Sequence, residues 1–274
     1  MSPKGSQTEG YTPSMIANYH THTVRCNHAE GTEREYIEQA IARKLRVLGF
    51  SDHSPQVFDA GYASGFRMRP DQLEDYVTTL HSLRQEYAGR IEIFIGLEAE
   101  YYPKYFSRLL DLIQPFHLDY LILGQHFIGN EDDGIPACPH ASDDESRLER
   151  YVRQTIEALE TGCYSCFAHP DILHFTGNPK AYRRWMEKLC LRVKELRIPL
   201  EMNMLGYATG RHYPNRTFFQ IAAEVGNEVI LGCDAHAPRR VADPAEIEAS
   251  LRFLRDCGIR QPLDHLSLRQ PSHP

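Results

Sequence analysis

Residues 228–236 read EVILGCDAH, a mostly apolar run that ends in an aspartate and a histidine. The run is brief and has no internal polar alternation, as expected for a parallel strand that is buried on both faces. With the similar runs that precede it, the chain has seven strand candidates: residues 15–19, 45–51, 91–99, 118–124, 163–168, 198–203 and 228–233. Each of these strands ends at side chains that can bind a metal ion.

Helical patterns separate the strand candidates. Two pairs of residues have the spacing of a capping box, Thr32 with Glu35 and Ser142 with Glu145. They predict helices that end near residues 44 and 160. Apolar residues at helical spacing predict further helices, at residues 73–87 and near 181–196, 214–225 and 244–257.

Strands and helices alternate without a break in composition after residue 15. This order predicts one parallel α/β domain over residues 15–274, either a closed barrel or a doubly wound sheet. Residues 1–14 are polar and contain Gly, Pro and Ser, so we expect a disordered tail or an expression remnant there.

The ends of the strands favour the barrel. In chain order they carry His20 and His22, His53, Glu98, His126, His169, Glu201 and Asn203, and Asp234 and His236, with His28 six residues after His22. The carboxyl ends of barrel strands converge on one mouth, whereas a doubly wound sheet spreads them along a line. In the His20-Thr21-His22 run, residues i and i+2 of an extended strand point to the same face and could share one ion.

These side chains also predict a metal site. A single buried histidine is more often a hydrogen-bonded core residue than a ligand. Seven histidines, one glutamate and one aspartate at consecutive strand ends would carry a large desolvation cost unless a cation compensated them. The pattern therefore predicts a site for several metal ions.

Composition excludes other classes of function. The net charge of −7 shows no electrostatic footprint for nucleic acid, and the apolar runs are far shorter than the roughly 20 residues of a membrane span. Seven cysteines without a secretion signal predict a reduced, cytoplasmic compartment.

The motifs together resemble one family. HTHT at residues 20–23, SDHS at 51–54, GLEAEY at 96–101, Gln125-His126, AHPD at 168–171 and GCDAH at 232–236 resemble the PHP (polymerase and histidinol phosphatase) family. The likeness extends from about residue 18 to 243, and within the family it is greatest to the histidinol-phosphate phosphatases. It implies a distorted (β/α)7 barrel, similar to a TIM barrel, with a trinuclear metal centre at the carboxyl ends of the strands.

The resemblance also implies a ligand set of three groups. The first ion would be held by His20, His22, Glu98 and Asp234, the second by Glu98, His126 and His169, and the third by His28, His53 and His236. Glu98 would bridge two of the ions, which in this family are zinc, manganese or iron.

The implied activity is that of a phosphoric monoester hydrolase. A hydroxide bridging the metals would hydrolyse L-histidinol phosphate, a small-molecule ester, to L-histidinol and phosphate, with Glu98, Asp234 and His236 as catalytic residues. The residues expected to bind substrate are Arg211, Arg67 and Asn203. Two alternatives stay open. Met204-Leu205 replaces the polar residues usual in histidinol phosphatases, which favours another small phosphate ester, and a non-catalytic PHP module is disfavoured because all nine ligand types are present.

Overall fold

Seven parallel strands form a nearly closed barrel in a computed structural model that describes residues 15–59 and 61–273. The strands lie side by side in chain order: β1 (Ala17–Asn18), β2 (Val47–His53), β3 (Glu92–Ala99), β4 (Tyr120–Leu123), β5 (Tyr164–Phe167), β6 (Leu200–Asn203) and β7 (Val229–Gly232). All seven strand predictions and the barrel are thereby confirmed. The prediction of a tail over residues 1–14 lies outside the described residues.

Eight α-helices lie between and after these strands within the described residues: α1 (Glu33–Ala42), α2 (Leu73–Glu86), α3 (Phe106–Ile113), α4 (Glu145–Glu160), α5 (Pro179–Glu195), α6 (Met204–Ala208), α7 (Arg216–Val225) and α8 (Pro244–Cys257). The sequence predicted six of them and missed the short α3 and α6. None of the described helices combines the length and the apolarity needed to cross a membrane.

One capping box is confirmed and the other is wrong. The Thr32 side chain accepts a hydrogen bond from Glu35 N, and the Glu35 side chain accepts one from Thr32 N. At α4 the cap is Asp144, whose carboxylate accepts from Ser146 N. Ser142 forms an isolated parallel bridge with Phe175, so its extended backbone is held two residues before the cap.

Two apolar layers position the mouth of the barrel. The larger layer packs the helices against the outer faces of the strands. The smaller lies inside the barrel, where Tyr120 donates a hydrogen bond to the carbonyl oxygen of Tyr19 at 2.7 Å. Gly96 gives the Tyr120 ring its space, because an added Cβ there would lie 2.6 Å from the ring. This apolar plug forms a floor below the side chains of the mouth.

The seam between β1 and β7 is closed near the mouth alone. Within the described residues these two strands share no continuous ladder, and Thr21 and Ala235 form a single parallel bridge. His22 N donates to Ala235 O at 3.0 Å, and Ala235 N donates to His20 O at 3.2 Å. The backbone that closes the barrel therefore belongs to the same short segments that carry the predicted ligands.

Candidate metal centre

The mouth of the barrel brings all nine predicted ligands together around Glu98. They follow or end the strands β1, β2, β3, β4, β5 and β7, as the sequence predicted: His20, His22, His28, His53, Glu98, His126, His169, Asp234 and His236. Six of them are buried, whereas His28, His126 and His236 are partly or largely exposed at the mouth.

The two carboxylate oxygens of Glu98 contact different histidines. Oε2 lies 3.5 Å from both His20 Nε2 and His22 Nε2, and 2.9 Å from His53 Nδ1. Oε1 lies 2.7 Å from His169 Nε2 and 3.6 Å from His126 Nε2. A carboxylate in this position can bridge two ions, one on each side.

Two further sets of atoms have the spacing of a metal site. His20, His22 and Asp234 each offer a ligand atom within 4.8 Å of the others, and so do His28, His53 and His236. His22 Nε2 lies 3.1 Å from Asp234 Oδ1. The first set contains three of the four residues of the first predicted group, and the second is the third predicted group. Another set of suitable spacing, His22, His53 and Glu98, combines residues from different groups.

Several ligand atoms of the cluster are buried without a hydrogen-bond partner. They are His53 Nδ1 and Glu98 Oε2, which lie 2.9 Å apart without hydrogen-bond geometry, and His236 Nε2. The nitrogens of His22 and His169 that face away from Glu98, Nδ1 in both, are unpaired as well. Leaving such atoms unpaired costs about 1–3 kcal/mol each, and more where the group is charged. Nitrogen and oxygen lone pairs that converge without donors fit divalent cations, so this donor set suits the metal ions that the family implies.

The outer nitrogens of four histidines are anchored. Nδ1 contacts an acceptor oxygen in each of them, at Glu201 Oε1 (2.6 Å from His20), Glu100 Oε1 (2.8 Å from His126), Cys26 O (2.7 Å from His28) and Asp234 O (3.0 Å from His236). An acceptor at Nδ1 holds the proton there and leaves the Nε2 lone pair for a metal. The four rings are therefore oriented as ligands.

The charges of the cluster also fit a cation. Burial lowers the pKa of His53 to about 4 and that of His236 to about 3, so both are neutral near pH 7, as metal ligation requires. Burial alone would lower the pKa of His20 as well, but Glu201, Asp234 and Glu98 raise it to about 10. The carboxylates thus attract positive charge to this point, which a metal ion can supply in place of a proton.

The PHP domain model matches residues 18–205 of the chain, which includes six of the seven strands. The chain belongs to the PHP domain family. A probable histidinol-phosphatase of Deinococcus radiodurans is 29% identical to this PHP domain over 253 residues, which cover 89% of the chain and 95% of the relative. The histidinol-phosphatase of Bacillus subtilis is 31% identical over 251 residues, which cover 79% and 92%.

Solved structures show the same fold. The histidinol phosphate phosphatase of Lactococcus lactis, crystallised with zinc, L-histidinol and phosphate, superposes with a TM-score of 0.70 at 19% identity. The superposition covers 91% of this chain and 96% of that protein. A structure from Listeria monocytogenes, described as a candidate histidinol phosphatase, gives a TM-score of 0.66 at 18% identity and covers 82% of this chain and 97% of that protein. The PHP domain is therefore the distorted barrel that the motifs implied.

Three carboxylates of the PHP domain support the ligands. The sequence pattern pointed to Glu201 only as a strand end and did not single out Asp52 or Glu100. Glu201 contacts His20, and it also accepts from His169 N at 2.9 Å. Glu100 contacts His126, and Asp52 accepts from His53 N at 2.8 Å. A signal was available, because each lies at or next to the end of a strand and within two residues of another residue of the site.

Arg67 is predicted to bind substrate, but it is not among the described residues that line the mouth. The side chain is buried and pairs with Glu100 at 2.8 Å and with Glu131 at 2.6 Å. Its other hydrogen bonds go to Ser64, to the Ser54 carbonyl and to Tyr102. All the contacts of its guanidinium are with protein groups, and they connect the loops that follow β2, β3 and β4.

Asn203 is likewise internal. Its amide nitrogen donates to Glu201 at 3.0 Å and to Asp234 at 3.1 Å, and its oxygen accepts from Gly206 N at 2.8 Å. The residue is buried and absent from the lining of the mouth. It contacts two carboxylates and starts α6, so its polar atoms are bonded within the protein and not directed to the predicted substrate contact.

The ligands open into a cavity of about 320 Å³. Besides the ligands it is lined by Phe66, Pro139, Ile172, Leu205 and Tyr213, with Arg211 as the one arginine or lysine among the described lining residues. Arg211 is thus the predicted substrate-binding residue that does lie at the mouth. The site combines a polar floor with a largely apolar wall.

Proposed function

We propose that this PHP domain is a metal-dependent phosphatase that hydrolyses L-histidinol phosphate to L-histidinol and phosphate. The observation that supports this most directly is the division of Glu98 between two groups of histidines, with Oε2 buried and without a hydrogen-bond partner. The names of the relatives in Deinococcus radiodurans and Bacillus subtilis support the substrate.

The proposal assigns three divalent ions to the nine residues. The first ion is assigned to His20, His22, Glu98 and Asp234, the second to Glu98, His126 and His169, and the third to His28, His53 and His236. Zinc, manganese and iron all suit this nitrogen-rich set, and the Lactococcus lactis relative was crystallised with zinc. Such ions supply Lewis-acid activation of water and neutralise charge on phosphoryl oxygens.

The protein's own side chains divide the remaining work. Glu98, Asp234 and His236 border the cavity and hold the reacting centre in place. Arg211 is placed to contact the phosphoryl oxygens, which its planar guanidinium can do with two hydrogen bonds. The proposed ions and Arg211 would make the field at the mouth positive. Such a local field can capture a phosphate dianion even though the whole chain carries a net charge of −7.

The apolar wall is proposed to receive the organic part of the ester. A second candidate follows from the same wall, namely a phosphatase for another small ester. Leu205 lines the cavity where the family pattern predicted a polar residue, and apart from Glu98 and Asp234 the described lining residues offer no carboxylate to a substrate ammonium group.

Phosphate release from a panel of monoesters tests both candidates. The panel contains L-histidinol phosphate, aliphatic phosphates without an amine, and aryl phosphates, and elemental analysis counts the metals of the same preparation. We expect two to three transition-metal ions per chain and the highest kcat/KM for L-histidinol phosphate. A clearly higher value for another ester supports the second candidate, and a preparation without metal or without phosphatase activity contradicts both.

Arg211 variants test the phosphate contact. We expect Arg211→Ala to lower kcat and kcat/KM together, by a factor that corresponds to about 2–4 kcal/mol of activation free energy. The reason is that the contact strengthens in the transition state. Arg211→Lys should be nearly as damaging, since lysine lacks the two-pronged geometry. Parent rates in both variants, with unchanged metal content, would mean that the phosphate is held without Arg211.

A further inference from the structure

Tyr213 lies at the boundary between the metal centre and the apolar wall, although no motif pointed to it. Its side chain is buried and lines the same cavity as Arg211. On one side its ring centroid is 6.0 Å from that of His169. On the other side the ring packs against Gly206, which directly follows Leu205 of the apolar wall. A group in this position borders both the phosphoryl end and the organic end of a bound ester.

The ring of Tyr213 is held firmly in place. A Cβ on Gly206 would lie 2.6 Å from two carbons of the ring, so this glycine permits the close approach of α6. The flanking residues are tied to the loop after β5, because His212 Nε2 contacts Ile172 O at 2.7 Å and Asn215 N donates to the Asp171 carboxylate. The hydroxyl group is therefore fixed before substrate binds, as preorganised catalysis requires.

The hydroxyl group has a hydrogen to donate. Arg211 Nη1 donates to Tyr213 Oη, and this is the one hydrogen bond of the hydroxyl among the described residues. The contact uses a lone pair of the oxygen and leaves the phenolic hydrogen free. Burial raises the pKa of the Tyr213 hydroxyl above its ordinary value, so the group is protonated at pH 7 and can act as a donor there.

We propose that Tyr213 donates a hydrogen bond to the ester oxygen of the substrate, the atom that leaves with the alcohol. This inference rests on the proposed phosphatase function and assigns a further catalytic residue to it. During hydrolysis, water forms the new P–O bond, and the ester P–O bond breaks with both electrons going to the ester oxygen. A proton from the water ends on the alcohol, and Tyr213 keeps its own proton. The hydrogen bond strengthens as negative charge grows on the leaving oxygen.

The test compares two esters that differ in how much they need such a donor. L-Histidinol phosphate releases an alkoxide, which is a poor leaving group, whereas p-nitrophenyl phosphate releases a stable phenolate. We expect Tyr213→Phe to lower kcat for L-histidinol phosphate on the order of 100-fold, as is typical for loss of one transition-state donor. Turnover of p-nitrophenyl phosphate should change less than about 3-fold.

The matched control is Tyr207→Phe. Tyr207 lies in α6 but is 39% exposed and packs on Phe253 with a centroid distance of 5.4 Å, so its hydroxyl group is outside the cavity. Both kcat values of this variant should equal those of the parent. Elemental analysis and circular dichroism of each variant check metal content and fold. The ratio of the two kcat values within one preparation does not depend on the folded fraction, so partial misfolding of Tyr213→Phe cannot imitate the expected result.

Three outcomes would overturn the inference. Equal losses on both esters would mean that Tyr213 contacts the phosphoryl oxygens, and no loss on either would mean that it is a bystander. In both cases the parent is an active phosphatase and the proposed function stands. If the parent hydrolyses neither ester, both the proposed function and this inference are wrong.

Discussion

Replacing Gly124 with alanine tests whether the metal centre depends on the placement of Glu98. Gly124 follows β4, and an added Cβ would lie 2.5 Å from Glu98 Cδ and 2.6 Å from Cγ. Ordinary van der Waals contact begins at 3.4 Å, so Cδ would have to move by about 0.9 Å and the nearer oxygen, Oε1, by more than that. Glu98 is fully buried among histidines, so a displaced carboxyl group loses its present contacts with their ring nitrogens.

A displacement of this size has a predictable cost. A shift of about 1 Å in a positioned group lowers turnover about 100-fold, and overpacking a buried site lowers the free energy of unfolding by about 1–3 kcal/mol. Since each oxygen of Glu98 contacts a different group of histidines, we also expect the variant to lose at least one metal ion per chain. Backbone strain does not contribute, because Gly124 is outside the left-handed region.

Elemental analysis, kcat on the best substrate and urea unfolding measure these three effects. Gly65→Ala is the matched control, because its added Cβ would have no atom within 4 Å and its backbone is also outside the left-handed region. If Gly124→Ala keeps the metal content, turnover and stability of Gly65→Ala, the reasoning that Gly124 makes room for the Glu98 carboxylate is refuted.

Three further predictions concern groups behind the ligands. Arg67→Met leaves Glu100 and Glu131 buried without a counter-charge, and we expect the free energy of unfolding to fall by about 3–5 kcal/mol in urea titrations; an unchanged value would contradict the ion-pair network. Burial would raise the pKa of Glu100, but Arg67 and the hydrogen bond to its neighbouring histidine lower it from 4.5 to about 2. A group with a lowered pKa stabilises the fold above its unfolded-state pKa, and this contribution is lost as the pH falls. Between pH 5 and 2 the free energy of unfolding of the metal-free parent should therefore fall by about 3 kcal/mol more than that of Glu100→Gln. A difference that does not vary with pH would disprove this. Gly232→Ala would place a Cβ 2.8 Å from Glu201 Cγ, so we expect dialysis to remove metal from it more readily than from the parent, and equal retention would count against a supporting role for Glu201.

The strands and the ligand cluster could be predicted because both depend on short-range patterns. A buried parallel strand is a continuous apolar run, and its carboxyl end is the next polar residue, so His53 or Glu98 could be placed without knowing any contact. The barrel followed because one mouth is needed to collect so many ligands. Helix α3 was also readable in principle, since Phe106, Leu109, Leu110 and Ile113 have helical spacing.

The partners of individual side chains could not be predicted in the same way. Arg67 looked like a free cation in a loop near the mouth, but its partners Glu100 and Glu131 are 33 and 64 positions away in the chain. Asn203 follows the same rule, because its contact with Asp234 spans 31 positions. The type of a residue indicates what it can bind. The fold determines whether its polar atoms bond to other protein groups or stay available to a substrate.

The nearly open seam between β1 and β7 bears on the order in which the molecule is assembled. The ions proposed for the mouth would join His20 and His22, at one side of the seam, to Asp234 and His236, at the other. On a ribosome the first pair emerges early and the second only after β7, so the centre cannot be completed until almost the whole domain has been made. Closing a loop of that length costs more conformational entropy than closing the shorter loops between neighbouring strands. Metal binding would therefore join β1 to β7 as the last step of assembly. Removing the metal with a chelator would weaken this contact before the others.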